Sequence, residues 1–152
     1  VKKKKITMKK LIHLFLLLNV INVQSQEFYL NYDEAKKIAI TENKNILILF
    51  SGSDWCAPCI KLDRNVFQTD VFKKASLDNW IVVKADFPRK KANQLSIEQI
   101  QNNRKLAEKY NKEGSFPLVV LTDKSGKILG KMGYKNCTAN EYLKEILNFE
   151  KK

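Results

Sequence analysis

Histidine occurs once in the 152 residues and cysteine three times. A structural zinc site wants four ligands. His13 falls in a leader-like segment, so the rest of the chain offers only Cys56, Cys59 and Cys137. Covalent haem attachment needs a histidine directly after the second cysteine of a Cys-x-x-Cys pair, and Ile60 stands there. No metal and no cofactor are expected. Proline, at three, and glycine, at five, are too few for a flexible linker, and there is no repeat or low-complexity tract. One domain is therefore expected. The longest apolar run, residues 11–23, carries Asn19 and Asn22 and falls short of the roughly 20 residues that span a bilayer.

Acidic residues are absent from the first 25 positions, which hold six of the 28 Lys and Arg. Lys2–Lys5, Lys9 and Lys10 form a positive region ahead of the apolar run, and Val23-Gln24-Ser25 supplies residues suited to a signal peptidase. Residues 1–25 read as an export signal, with Met8 as the initiator and residues 1–7 as upstream sequence or a longer basic region. An uncleaved anchor is the alternative. Removing these residues lowers the formal charge from +12 to +6, so half of the basicity belongs to the leader. The remainder is dispersed and no nucleic-acid-binding motif accompanies it. A solvated surface explains it, with attraction to an acidic partner protein as the alternative. Residues 26–152 are enough for one domain with its own core.

The chemistry concentrates in Asn45-Ile46-Leu47-Ile48-Leu49-Phe50-Ser51-Gly52-Ser53-Asp54-Trp55-Cys56-Ala57-Pro58-Cys59. An apolar run of strand length passes through a Ser/Gly turn into Cys-x-x-Cys, and helix-compatible residues follow. This order predicts Cys56 at the first turn of a helix, facing unpaired N–H groups and the positive end of the helix dipole. Both favour thiolate, so a lowered pKa and a nucleophilic Cys56 are expected. Cys59, one turn on, is close enough to attack a mixed disulfide formed by Cys56. A purely structural disulfide is the alternative, although so short a loop constrains the unfolded chain little. Trp55 serves either as a core aromatic or as a wall beside the disulfide on which partners pack. Cys137 reads as a reactive thiol near a helix N-terminus or as a partly buried bystander.

Around this motif the elements alternate. Asn31 with Glu34 opens a helix whose face carries Ala35, Ile38 and Ala39. Residues 46–50 form a central strand, residues 57–67 a helix that restarts or kinks at Thr69-Asp70 toward residue 75, and residues 80–85 a second strand. Ser96 with Gln99 opens a helix through Tyr110 that buries Ile97, Ile100, Leu106 and Ala107. Residues 117–122 and 127–132 form a hairpin with Gly126 where φ > 0 is needed. Thr138 and Glu141 cap a last helix, and residues 27–30 form a short first strand.

Trp55-Cys56-Ala57-Pro58-Cys59 after an apolar strand, Phe116-Pro117 before the hairpin and Gly133 after it resemble a thioredoxin-fold protein across roughly residues 28–150. Phe50-Ser51-Gly52-Ser53-Asp54-Trp55-Cys56 followed by Lys61-Leu62-Asp63-Arg64-Asn65-Val66-Phe67 is similar to exported bacterial thioredoxin-like proteins related to the C-terminal domain of the DsbD reductant conductor. The resemblance implies an α/β thioredoxin fold, a central mixed sheet of four to five strands flanked by helices on both faces. It implies thiol–disulfide exchange with protein substrates through a redox-active Cys56–Cys59 disulfide. It also implies a cis Phe116-Pro117 bond beside the cysteines, with Trp55, Ala57, Pro58 and Phe116 contacting substrate. A trans proline opening a strand is the plainer reading of Pro117.

The chain departs from thioredoxin itself where a buried acid stands in the strand before the motif, because Leu47-Ile48-Leu49-Phe50 is wholly apolar here. Asp63, four residues after Cys59 and so on the same helical face, is the candidate base for Cys59, with a solvent-facing carboxylate as the alternative. Residues 87–95 exceed what thioredoxin needs, and read as a mobile basic loop or a partner-docking element. Strong oxidants of this fold usually carry His between the cysteines, whereas Ala57-Pro58 resembles the reducing members. A periplasmic reductant recharged by a membrane electron donor of DsbD type is expected, without stable membrane insertion after leader cleavage. A redox-inert binding or chaperone-like module and an oxidase or isomerase remain the alternatives.

Overall fold

The computed structural model describes residues 28–151, so the segment expected to be an export signal, with its expected cleavage point, lies outside the described residues. The continuous apolar run becomes β2 (Asn45–Ser51), the middle strand of a five-stranded sheet ordered β1-β3-β2-β4-β5. β1 (Phe28–Tyr29) and β3 (Trp80–Asp86) run parallel to each other, and β3 runs parallel to β2. β4 (Leu118–Thr122) and β5 (Ile128–Met132) are antiparallel to their neighbours. The mixed sheet expected from the sequence is therefore present with its full five strands.

A strand buried on both faces needs apolar residues at every position, because successive side chains point to opposite sides. Leu47 and Leu49 enter one core with Leu62, Val66, Phe72 and Tyr142. Ile46, Ile48 and Phe50 enter the other with Ala35, Ala39, Leu106 and Tyr110. The helices divide accordingly. α1 (Tyr32–Glu42) and α4 (Ile97–Tyr110) cover the second face. The first is covered by α2 (Ala57–Leu62), the π-helical turn that continues it (Asp63–Phe67), α3 (Asp70–Asn79) and α5 (Ala139–Phe149).

Local chemistry sets the boundaries. Thr138 Oγ1 accepts the Glu141 amide while the Glu141 carboxylate accepts the Thr138 amide, so the expected reciprocal cap of α5 is complete. Asn31 and Ser96 cap from one side only: Asn31 Oδ1 accepts the amides of Asp33 and Glu34, and Ser96 Oγ accepts that of Gln99. Gln99 instead spends its amide group on Leu30 O and Asn103 Oδ1. Gly126 turns the β4–β5 hairpin at φ 96°, a conformation that few residues other than glycine adopt.

Four expectations need correction. Ile97, in the first turn of α4, is 76% exposed rather than buried. The helix after the cysteines does not run unbroken to Phe67: it widens at Asp63, where the Gln68 amide reaches back five residues to Asp63 O at 2.9 Å. α3 continues past residue 75 to Asn79, since Phe72 and Ser76 are still buried along its inner face. Pro117 precedes β4 rather than opening it, being held in the cis bond described below.

Candidate active site

The end of β2 is where the chain changes direction. Gly52 O accepts the amides of Trp55 (3.3 Å) and Cys56 (2.9 Å), closing a turn between strand and helix. A β-carbon on Gly52 would lie 2.3 Å from the Trp55 ring, so the indole packs directly on the glycine backbone. Cys56 then caps α2 with extended φ −91° and ψ 96°, and its Sγ accepts the Cys59 amide at 3.2 Å. An acceptor in that position satisfies one of the unpaired donors at the helix start. Pro58, in the first turn, forfeits an N–H that would have lacked a partner anyway. Cys56 and Cys59 form a disulfide, with Cα atoms 5.2 Å apart. Both sulfur-bearing residues are buried, while Ala57 and Pro58 between them are exposed.

The Phe116-Pro117 peptide is cis, as the resemblance implies. Phe116 meets Trp55 edge-on at 5.5 Å and Phe87 at 5.3 Å between ring centroids. Trp55 is half-buried and belongs to neither core; it packs beside the disulfide turn against Phe116. Its Nε1 donates to Phe87 O at 2.7 Å, and the Arg89 guanidinium lies 3.8 Å over its ring.

Behind the cysteines, Cys59, Asp63, Lys84 and Pro117 line one small cavity of about 10 Å³, near the lower limit for holding a water. Asp63 is 3.8 Å from Lys84 Nζ and accepts Gln68 Nε2 at 3.3 Å. The carboxylate expected near Cys59 therefore reaches that side of the motif, in company with a lysine. Lys84 escaped the sequence reading. It breaks the apolar run of β3, and a charged residue within an otherwise buried strand was the available signal. Asp54 was also missed. It accepts the amides of Arg89 and Lys90 and the side chain of Asn93, which hold its carboxyl below the ordinary range.

Cys137 lies apart from this cluster, half-buried beside α5. Burial first, then the charges of Glu141 and Glu145, push its thiol pKa up. That is the opposite of an activated nucleophile and fits the bystander reading. Among the described residues no cluster of His, Cys, Asp or Glu could hold a metal, and no helix is long and apolar enough to cross a membrane.

Residues 27–124 match the thioredoxin-like family model. Disulfide bond reductase DsbH of Chlamydia pneumoniae is 34% identical over 116 residues, covering 76% of this chain and 68% of that protein. A solved DsbH oxidoreductase superposes with a TM-score of 0.77 at 32% identity, covering 84% of this chain and 86% of that one. The oxidised C-terminal domain of Neisseria meningitidis DsbD shares the fold at a TM-score of 0.51 and 16% identity, over 76% of this chain and 90% of that domain. On the family match and the DsbH likeness together, the chain belongs to the thioredoxin-like family.

Proposed function

We propose that the protein is a thiol–disulfide oxidoreductase that reduces protein disulfides in the periplasm. One observation carries this reading: the Cys56 sulfur caps α2 and accepts the Cys59 amide. A donor at hydrogen-bond distance and the helix dipole both favour negative charge on that sulfur. In the reduced protein the Cys56 thiolate attacks one sulfur of a substrate disulfide. The substrate S–S bond breaks, the departing thiolate takes a proton, and a mixed disulfide forms. Cys59 then loses its proton, attacks the Cys56 sulfur and releases the second substrate thiolate. Two electrons have passed to the substrate, and the protein is left with its Cys56–Cys59 disulfide.

Asp63 takes the Cys59 proton in this scheme, directly or through a water in the cavity that both residues line. Trp55, Ala57, Pro58 and Phe116 form the surface on which the substrate backbone rests, with cis Pro117 offering its preceding peptide as an added strand. Ala57 and Pro58 add neither charge nor a side-chain hydrogen bond to the thiolate, which favours a reducing potential over an oxidising one. The relative named a disulfide bond reductase supports the same direction. A membrane dithiol donor of DsbD type recharges the protein after export through the leader at residues 1–25.

Reduction of insulin by the wild type and by Cys56→Ser tests the activity. Turnover by the wild type alone is expected, and failure of both would leave a redox-inert binding module. Equilibration with glutathione buffers tests the direction. A potential near about −270 mV marks a thioredoxin-like reductant, and one near about −120 mV would instead mark an oxidase.

A further inference from the structure

The segment between β3 and α4 is tied to the cysteine turn. The Phe87 amide donates to Ser51 O at 2.8 Å, and the Trp55 indole donates back to Phe87 O. Asp54 accepts the Arg89 amide (2.9 Å), the Lys90 amide (3.0 Å) and Asn93 Nδ2 (3.0 Å). Asp86 accepts the amide and hydroxyl of Ser53. Both acids of this region thus spend their oxygens folding the loop onto the turn that carries Cys56.

The cations do not share that fate. Arg89, Lys90 and Lys91 are exposed, and among the described residues none of them enters an ion pair. Lys90 lies near enough to Asp54 to lower its pKa, which leaves Arg89 and Lys91 without an acid. The Arg89 guanidinium is fixed over Trp55 at 3.8 Å, and Trp55 immediately precedes Cys56. A planar fork already held by stacking and by a pinned backbone loses little freedom on gripping a carboxylate.

We propose that Arg89 is a specificity-determining residue, selecting protein substrates that carry an Asp or Glu beside the disulfide to be reduced. The proposal rests on the reading of Cys56 as the attacking thiol. The occupant is a polypeptide segment with a carboxylate within a residue or two of its cysteine, close enough to meet the guanidinium while its sulfur meets Cys56.

The test compares two disulfide peptides, identical except for Glu or Lys next to one cysteine, reduced by the reduced full-length protein. The Glu peptide is expected to react about fivefold faster at low salt, the scale of one exposed charge contact. That ratio should narrow toward unity in about 0.5 M salt, where exposed charges are screened. Arg89→Lys should keep part of the preference, and Arg89→Glu should reverse it. Intrinsic tryptophan fluorescence of each variant checks that the loop still covers Trp55. Equal rates for both peptides with the wild type would overturn the proposal, as would an unchanged ratio in Arg89→Glu. Should the wild type reduce neither peptide nor insulin, the oxidoreductase reading itself falls.

Discussion

At the scale of single residues, the site is built from pairs whose members do different work. Cys56 and Cys59 lie one helical turn apart, yet only Cys56 faces the capping position. Replacing Cys59 by Ser should therefore leave the attack intact and trap mixed disulfides, visible as substrate adducts by non-reducing electrophoresis and mass spectrometry. Asp63→Asn should slow resolution of that adduct by about a hundredfold, the lower range of proton-transfer catalysis. Attack by Cys56 should be unchanged. An unchanged urea midpoint for the variant separates this from structural damage. Gly52 is a steric case. Gly52→Ala puts a methyl 2.3 Å from a Trp55 ring that Phe87 O and Arg89 hold in place. A loss of about 1–3 kcal/mol, as for overpacking generally, should appear in urea unfolding with a shift in Trp55 emission.

At the scale of elements, helix starts add to what the buried faces contribute. α5 carries the complete reciprocal cap and presents Tyr142, Leu143 and Ile146 to the sheet. Thr138→Ala should remove about 1 kcal/mol, measured as a lower urea midpoint with unchanged slope. α4 has a second anchor that no pattern announced. Asn103, 3% exposed, donates to Asp86 O at 2.8 Å and accepts Gln99 Nε2 at 2.7 Å, tying the helix to the end of β3. Buried amides matched on both sides hold elements in register, because leaving either side unpaired would cost more than the bond gains. That anchor fixes where the Arg89 loop begins and returns.

For the whole molecule, ionisation bounds the range of stability. Asp54, Asp123 and Glu141 have pKa values lowered by the amides and hydroxyls they accept. Their contribution is present above the ordinary carboxylate range near pH 4 and is lost as pH falls through the lowered folded values. Tyr32, Tyr110 and Tyr142 are raised, by burial first in each case. The stability they contribute is full below the ordinary tyrosine value near pH 10 and lost as pH rises toward the raised values. Thermal melting should therefore be flat across neutral pH, declining below about pH 4 and above about pH 10. A midpoint that kept rising into acid would contradict the carboxylate assignments.

Read as residues in order, the chain determines much of this by itself. The unbroken apolar run Ile46–Phe50, bounded by turn residues, reads as a strand covered on both faces. Cys-x-x-Cys directly after it puts a thiol at a helix start, and Thr138 with Glu141 announces a cap; all three are local effects, read over a few residues. Other features depend on segments that meet only when folded. Lys84 faces Asp63 across 3.8 Å although 21 positions separate them. Asp54 organises a loop 35 residues away, and Arg89 comes to rest on Trp55. Ile97 stays in solvent although its spacing fits an inner face. Periodicity reports which side of an element is apolar; where that element ends relative to its neighbours is decided by the packing of the sheet.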